Sequence, residues 1–432
     1  MRGRALPLAV GLVLAACTGS SSTAAPDTTT PASASTAPAA GGDDVAPSTG
    51  GRIVAVRDDR EIVVFDPDGG PERVVSDGAI GGVARQPVWS PDGTEVAWAA
   101  LDDGDRSSVR WRRVDGGEVE SVETPSLPFY LAHLDGGARL AWLGNAEGGV
   151  GLSLVDVATG TSQLVDVAVP YYLDAVDGGP LVAHAGGSDL RTIGTASSMR
   201  IGDGTPAMQA PAVAPDGSIV ALVDDGDDVT IADEGPGLRT VQDGFGDGFL
   251  RLVRLAETGE ELDELAVVPR EAFAFDLSPL GDRVALWRRD LRGETGVEVV
   301  DLATGRIETA VEAGGVAAAW SPDGARLAIL VIEAGGRARW TVWTDSGLTE
   351  AASFRPTVTF VRDYLPFWDQ YLRASTPWSP DSAALTHAAM GDDGPVVVVQ
   401  PADGSAASEL GAGEMSWWSS PTGRSPSTPV RP

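Results

Sequence analysis

The stretch WSPDGTEVAWAA (89–100) decides the fold of this chain. Pro91 fixes φ at the second position of a tight turn, and Asp92 and Gly93 supply the remaining turn geometry. The apolar run that follows contains strand-forming residues, as expected for a strand buried between neighbouring sheets. The stretch therefore predicts a tight turn that leads into a buried strand.

The same unit recurs along the chain. Clear copies begin at Trp320 and Trp378, weaker ones surround Asp216 and Asp282, and a remnant lies at 418–423. With two degenerate Asp-Gly-Gly copies included, the turn Asp stands at positions 92, 135, 177, 216, 282, 323 and 381. Most intervals between these positions are 39 to 43 residues, and two longer ones fit one unit plus an insertion. A period near 40 with strand-turn-strand content is typical of a four-stranded β-propeller blade.

The repeats also predict how many blades there are and how the ring closes. Leader strands before the turns lie at positions 89, 131, 173, 213, 275, 320, 378 and 418, which predicts eight four-stranded blades. Seven blades are the alternative, if a degenerate pair shares a blade. We predict that residues 414–420 pair with residues 51–76, so that one blade is built from both ends of the chain. Such closure removes sheet edges that would otherwise pair with other chains.

These repeats resemble the WD40-like Pro-Asp repeats of the TolB-type propeller family over about residues 51–423. The resemblance implies an all-β propeller over that range. The front of the chain departs from TolB, which carries an α/β domain before its propeller. The family's partnership with an outer-membrane Tol–Pal system is therefore not carried over.

The beginning of the chain has the features of a targeting segment. Residues 1–16 have the features of a secretory signal peptide, because Arg2 and Arg4 precede an apolar run too short to span a bilayer. The segment LAAC (14–17) resembles a bacterial lipobox, in which the peptidase cuts before the Cys and its thiol carries diacylglycerol. We therefore predict a lipoprotein that is anchored to the cell membrane through Cys17 and lies outside the cytoplasm.

Two segments next to the propeller are predicted to be disordered. Residues 17–50 carry the lipidated Cys and are rich in Ser, Thr, Ala and Pro, with almost no large apolar side chain. Residues 424–432 have a similar composition. Neither segment can bury enough apolar surface to offset the entropy of ordering. We interpret the first as a tether and the second as a tail.

The charge balance excludes some classes of partner. Acidic residues outnumber basic ones by 62 to 31, which gives a formal net charge of −31, and every basic residue is Arg. Nucleic-acid binding needs Lys and Arg to neutralise phosphates, so this balance argues against it. It also argues against an anionic bilayer surface as an electrostatic partner. The single Cys excludes internal disulfides, and we expect a monomeric propeller.

No catalytic motif is found in the sequence. His133, His184 and His387 are far apart in the chain, which favours structural histidines over a triad or a His-based metal site. No Gly-x-Ser-x-Gly elbow, P-loop or dinucleotide fingerprint occurs. We therefore predict neither a catalytic residue nor an organic cofactor.

Acidic loops leave Ca²⁺ binding open. Clustered carboxylate oxygens are ligands that Ca²⁺ prefers, although no cluster here has EF-hand spacing. Each cluster also falls at an expected hairpin, so solvated turns are the alternative interpretation. The residues concerned are Asp102, Asp103, Asp105, Asp224, Asp225, Asp227, Asp228, Asp243, Asp247, Asp392 and Asp393.

The stretch FRPTVTFVRDYLPFWDQYLRAS (354–375) breaks the repeat pattern. It is part of an insertion and mixes aromatic residues with charged ones, which a blade strand does not need. Loops on a rigid scaffold often carry binding, and aromatics with Arg are typical anchors of an interface. The alternative is a loop that plugs the channel. Its candidate ligand- or partner-binding residues are Phe360, Arg362, Asp363, Tyr364, Phe367, Trp368, Asp369, Gln370, Tyr371 and Arg373.

These features favour a non-catalytic binding or scaffold module for a protein, peptide or cell-envelope ligand. The alternative is a propeller enzyme, a lyase or glycosidase, that uses carboxylates around the channel on an envelope or extracellular polymer. A third hypothesis is a component of a secretion or envelope-assembly complex.

Overall fold

The computed structural model describes residues 51–419 except 59, 77–81, 176–178, 196, 207, 225–248, 270–273 and 289–295. All of these lie in the second of two units into which the chain divides, 46–432. The predicted signal peptide (1–16), the lipidation site at Cys17, the tether (17–50) and the tail (424–432) lie outside the described residues. The same holds for five candidate calcium ligands, namely Asp225, Asp227, Asp228, Asp243 and Asp247.

Within the described residues the strands form eight antiparallel sheets arranged as the blades of a β-propeller. Seven sheets have four named strands and the eighth has three. In the eighth, the innermost position is held by an isolated bridge between Trp378 and Leu385. The prediction of eight blades is confirmed, and the seven-bladed alternative is wrong.

The blades follow one another along the chain. Blade 1 contains β1 (Ile53–Arg57), β2 (Glu61–Phe65) and β3 (Arg73–Val74), and blade 2 contains β4 (Val83–Trp89), β5 (Glu95–Leu101), β6 (Ser107–Arg113) and β7 (Glu120–Thr124). Blade 3 contains β8 (Tyr130–Leu134), β9 (Arg139–Ala146), β10 (Gly149–Asp156) and β11 (Thr161–Ala168). Blade 4 contains β12 (Tyr171–Ala175), β13 (Leu181–Ala185), β14 (Asp189–Ile193) and β15 (Ser198–Asp203). Blades 5 and 6 contain β16 (Ala212–Val213), β17 (Ile219–Val223), β18 (Phe249–Leu255), β19 (Glu261–Pro269), β20 (Ala274–Leu277), β21 (Arg283–Trp287), β22 (Val297–Asp301) and β23 (Ile307–Val311).

The last blades and the closing strand complete the ring. Blades 7 and 8 contain β24 (Gly315–Trp320), β25 (Leu327–Glu333), β26 (Arg337–Thr344), β27 (Gly347–Glu350), β28 (Ala384–Gly391), β29 (Gly394–Pro401) and β30 (Ser408–Ala412), and β31 (Met415–Trp418) returns to blade 1. Among the described residues, helical structure consists of a 3-10 turn at Asp135–Gly137, a π-helical turn at Phe360–Tyr364, a 3-10 turn at Leu365–Phe367 and α1 (Trp368–Leu372). No helix in the described part of the chain is long and apolar enough to cross a membrane.

The ring closes as predicted. Strand β31 pairs antiparallel with β1, with Ile53 opposite Trp418, and forms the innermost strand of blade 1. The backbone N–H of Ser419 donates to Arg52 O over 2.7 Å, which extends the pairing. Trp417 and Trp418 are each only 1% exposed, so the closing strand also fills core volume.

The repeated turn is built on its Ser as well as on Pro and Gly. The Ser90 hydroxyl donates to Asp92 Oδ1 over 2.6 Å and accepts from the Glu95 N–H over 2.9 Å. Gly93 adopts φ of 66°, in the left-handed region that favours glycine. A Ser-Asp bond of the same kind joins Ser321 to Asp323 over 2.5 Å. The side chains therefore tie the innermost strand of a blade to the next strand.

The repeated Trp residues pack between blades, as predicted. The indole N–H of Trp320 donates to Asp276 O over 3.1 Å, and that of Trp378 donates to Ala319 O over 2.9 Å. In both pairs the acceptor lies on the inner strand of the preceding blade, and Trp320 and Trp378 are 4% and 0% exposed. Trp320 and Trp378 thus fill the gap between two blades, and each has its polar N–H satisfied.

Candidate binding site at the two ends of the channel

Residues 354–377, which we call the channel plug, fill the space among the inner strands. The plug leaves blade 7 through backbone pairing of Phe354 with Ala338, and Pro356 bridges to Ala389 of blade 8. It then turns through the π-helical, 3-10 and α1 segments and reaches Trp378. The contacts of this segment therefore agree with the alternative interpretation, a loop that plugs the channel.

The plug bonds to the inner strands of several blades. The Trp368 indole N–H donates to Ala318 O of blade 7 over 3.0 Å. The Gln370 amide donates to Leu173 O and accepts from the N–H of the same residue, over 2.9 and 2.8 Å, so it pairs with blade 4 as a backbone would. The Tyr371 hydroxyl donates to the carbonyl that precedes β8 of blade 3, over 3.1 Å. These bonds hold the plug rigidly in the ring.

Arg373 joins the plug to two carboxylates, one on the inner strand of blade 4 and one on the inner strand of blade 6. Its Nη1 lies 3.1 Å from Asp276 Oδ1 on β20, and its Nε lies 3.9 Å from Asp174 Oδ2 on β12. The side chains are 0%, 4% and 1% exposed, respectively. The carboxylates also accept backbone N–H groups, from Trp320 and Val213. The cluster is therefore ion-paired and hydrogen-bonded, as buried charges require.

Asp174 and Asp276 were missed by the sequence analysis. Each stands as one acidic residue in an otherwise apolar inner strand, in YYLDA (171–175) and AFDL (274–277). A buried Asp is rare unless it is paired, and this is the signal that could have identified them.

The ten predicted binding residues divide into a buried set and a surface set. Seven are 8% exposed or less and belong to the body of the plug; they are Phe360, Tyr364, Trp368, Asp369, Gln370, Tyr371 and Arg373. Burial raises the pKa of both Tyr364 and Tyr371, so these hydroxyls stay neutral. Arg362, Asp363 and Phe367 reach the surface, and Arg362 pairs with Asp363 over 2.6 Å. Their role in binding stays a prediction.

The two ends of the channel lie on different faces of the propeller. Inner strands end in the Ser-Pro-Asp turns, and we call that side the turn face. We call the opposite side, where the inner strands begin, the plug face. On the plug face the plug exposes Val358, Val361 and Phe367, which are 70%, 37% and 43% exposed. Exposed Phe129 and Met390 lie beside it, at 39% and 40%.

The turn face holds a cavity of about 470 Å³. Its floor is the end of the plug, from Leu372 to Thr376, and Asp135, Arg139 and Glu257 contribute charge to its wall. Arg139 and Asp135 form an ion pair. The rim carries prolines from five of the blades, namely Pro91, Pro180, Pro215, Pro279 and Pro322. The cavity therefore offers a mostly apolar rim and a few charged groups.

The three histidines lie in different blades. His133 lines the turn-face cavity, and burial lowers its pKa to about 4, while neither ring nitrogen bonds to any of the described residues. His387 lies against Phe354, with ring centroids 4.1 Å apart, and burial lowers its pKa to about 3. The ring nitrogens of His184 face the Gln209 and Gly187 carbonyls over 2.9 and 3.1 Å. The three rings are thus packed separately.

The described acidic loops do not assemble a metal site. Among the described residues, no three His, Cys, Asp or Glu side chains come close enough to hold a metal ion. Asp102 pairs with Arg110 instead. Asp103, Asp105, Asp392 and Asp393 are exposed at hairpin turns.

Comparison with known proteins supports the fold. No protein-family model and no curated protein matches this chain. The structure of the dihydro-heme d1 dehydrogenase NirN is similar with a TM-score of 0.54 at 14% identity, over 88% of this chain and 76% of NirN. The C-terminal WD40 domain of Sif2 gives 0.54 at 11% identity, over 81% and 92%. TolB from Acinetobacter baumannii gives 0.41 at 11% identity, over 85% and 81%. At these identities the likeness to NirN and to Sif2 shows the fold alone. The chain is an eight-bladed protein of the β-propeller class.

Proposed function

We propose that this protein is a lipid-anchored, extracytoplasmic binding module that holds a protein or peptide partner on its plug face without catalysis. One observation carries the proposal. The plug is bonded into the ring by its buried residues, yet it presents Val358, Val361 and Phe367 to solvent at the mouth of the channel. Exposed apolar side chains on a rigid support are typical of interaction sites. The lipid anchor at Cys17 would keep the module at the membrane.

A pull-down from cell-envelope extract tests the site. We expect the variant V361S/F367S to fold as the wild type does and to lose captured partners, because these side chains lie at the surface. The matched control is L262S/L348S, since Leu262 and Leu348 are each 50% exposed on outer strands, away from the plug. Retention of every partner by V361S/F367S would contradict the proposal. Replacing buried plug residues would not test it, because their loss would disturb the fold.

The membrane part of the proposal has its own test. We expect the full chain to fractionate with membranes and C17S to be released, because the thiol is the site for the diacylglycerol. Fractionation of C17S with membranes as complete as that of the wild type would remove the anchor from the proposal.

The turn-face cavity supports a second candidate function, a propeller enzyme of the lyase or glycosidase class. Three carboxylates, Asp135, Glu257 and Asp276, line the cavity. Asp276 is engaged by Arg373 and Asp135 by Arg139, which leaves Glu257 without a second carboxylate suited to paired acid and base work. A screen of the purified protein against envelope polysaccharides separates the two functions, because turnover that E257Q abolishes would favour the enzyme.

A further inference from the structure

The plug face has an apolar centre. Val358, Val361 and Phe367 come from the plug itself. Phe129 belongs to the same centre because its carbonyl accepts the Tyr371 hydroxyl. Met390 joins it through its N–H, which donates to the backbone carbonyl of the plug residue Arg355 over 2.8 Å. We call these five side chains the plug-face patch, and all of them are at least 37% exposed.

An acidic rim surrounds the plug-face patch. The second strand of each blade starts at the turn face and ends at the plug face, so the hairpin turns between second and third strands open on the plug face. Within the described residues, these turns expose six acids and two arginines. The acids are Asp58, Asp103, Asp105, Glu147, Asp392 and Asp393, and the arginines are Arg60 and Arg106.

The plug itself does not neutralise this rim. Arg362 is paired with Asp363 through two contacts of 2.6 and 2.7 Å. Arg337, at the start of β26, and Arg355 add two exposed positive charges on this face. The described residues of this face therefore combine exposed apolar side chains with an excess of carboxylates, and they form no contiguous basic area.

From this arrangement we infer the chemistry of the partner, and the inference rests on the proposed function. The plug face binds a cationic amphipathic segment of another protein, with an apolar side that covers the plug-face patch and flanking Lys or Arg side chains that meet the acidic rim. Complementary charges at a rim steer association and suppress partners of the wrong sign. An anionic bilayer does not fit, because the rim would repel it. A second copy does not fit either, because each chain carries a net charge of −31.

The test measures binding of synthetic helical peptides to the full chain held in nanodiscs of neutral phosphatidylcholine. One peptide is built of Leu and Lys, and its match is built of Leu and Glu. We expect the Leu–Lys peptide to bind at least tenfold more tightly at 0.05 M salt. Because the whole chain is acidic, preference for Lys alone is not decisive, and the site is located with variants.

Two variants and two matched controls locate the site. We expect V361S/F367S to weaken binding of the Leu–Lys peptide about tenfold and L262S/L348S to leave this binding unchanged. We expect D392N/D393N to weaken it about threefold and to reduce the salt dependence, because rim charges act through screened attraction. The control E118Q/E120Q removes two exposed acids of blade 2 at the turn-face end, and it should change neither.

Failure of this inference is distinguishable from failure of the proposed function. If V361S/F367S loses its envelope partners while D392N/D393N and salt have no effect, the plug face binds a partner but the inferred chemistry is wrong. Equal binding of both peptides would overturn the inference in the same way. Binding of the wild type to phosphatidylglycerol vesicles, or self-association in sedimentation, that V361S/F367S abolishes would assign the plug face to a membrane or to a second copy instead.

Discussion

At the scale of the residue, the repeated turn depends on one hydroxyl. The Ser90 hydroxyl bonds both to the Asp92 carboxylate and to the N–H that opens the next strand. Burial acts to raise the pKa of Asp92, but hydrogen bonds from Ser90 and Thr94 outweigh it, so the pKa lies below its ordinary value. The carboxylate therefore contributes stability above pH 4, and this contribution is lost as the pH falls through the folded pKa.

Removal of that hydroxyl should weaken the blade. We expect S90A to lower the free energy of unfolding by about 1–3 kcal/mol, because the Glu95 N–H loses its acceptor in a half-buried turn. Denaturant unfolding followed by Trp fluorescence measures the change. The matched control is S162A, at an exposed position on the outer strand β11, which should cost less than about 0.5 kcal/mol. Equal losses in the two variants would contradict this account of the turn.

The buried histidines predict a pH dependence in a different window. Burial lowers the pKa of His133 to about 4 and that of His387 to about 3, whereas an unfolded His titrates near 6.5. Between these values the unfolded chain binds more protons than the folded chain, so stability falls as the pH falls from about 7 to 4. We expect H133Q/H387Q to flatten this slope in melting temperatures measured at half-unit intervals. A slope unchanged in the variant would show that other groups cause it.

At the scale of the element, the plug contains little helix and makes many contacts with residues that are distant in the sequence. Its α-helix covers only Trp368–Leu372, which is too short to be stable alone. Its side chains find their partners on the inner strands, as Trp368 does on Ala318 and Gln370 does on Leu173. The conformation of the plug therefore depends on its contacts with the ring, and the plug in turn fills the channel of the ring.

The Arg373 cluster should be the most sensitive point of the plug. We expect R373M to lower the free energy of unfolding by about 3–5 kcal/mol, because it leaves Asp276 and Asp174 buried without their counter-charge. The double variant R373M/D276N should recover part of that loss, since one of the carboxylates is then neutral. Denaturant unfolding of the two single variants and the double variant measures the coupling. Additive losses would mean that the two side chains do not act as a pair.

At the scale of the whole molecule, stability depends on the closure between β31 and β1. The pairing joins residues 367 positions apart at Arg52 and Ser419, so neither end can form this blade without the other. Closure also buries Trp417, whose ring packs at a tilt against Trp368 of the plug, with centroids 5.2 Å apart. The ring and its plug are thus coupled through the closing strand.

Truncation tests the closure. We expect a chain that ends at Gly413 to lose cooperative unfolding and to aggregate, because β1 becomes an open edge and two buried Trp residues are lost. A chain that ends at Ser419 keeps all the closing contacts that the described residues make, and it should unfold as the full chain does. Circular dichroism melting and size-exclusion chromatography distinguish the outcomes. If the chain that ends at Gly413 were monomeric and had the melting temperature of the full chain, this result would contradict the role given to β31.

The sequence by itself determined the blade and the closure at β31, and it limited the number of blades to eight or seven, between which the tertiary structure decided. The turn at Ser90-Pro91-Asp92-Gly93 and the apolar strand after it are local patterns, and their recurrence needs no knowledge of distant contacts. Only the tertiary structure decided which plug residues are buried and that Arg373 meets Asp276, 97 positions away. Such pairings depend on the ring that brings inner strands together, and no local pattern encodes them. For the same reason, the ten candidate residues of the plug were found in the sequence as a group but were sorted into core and surface by the fold.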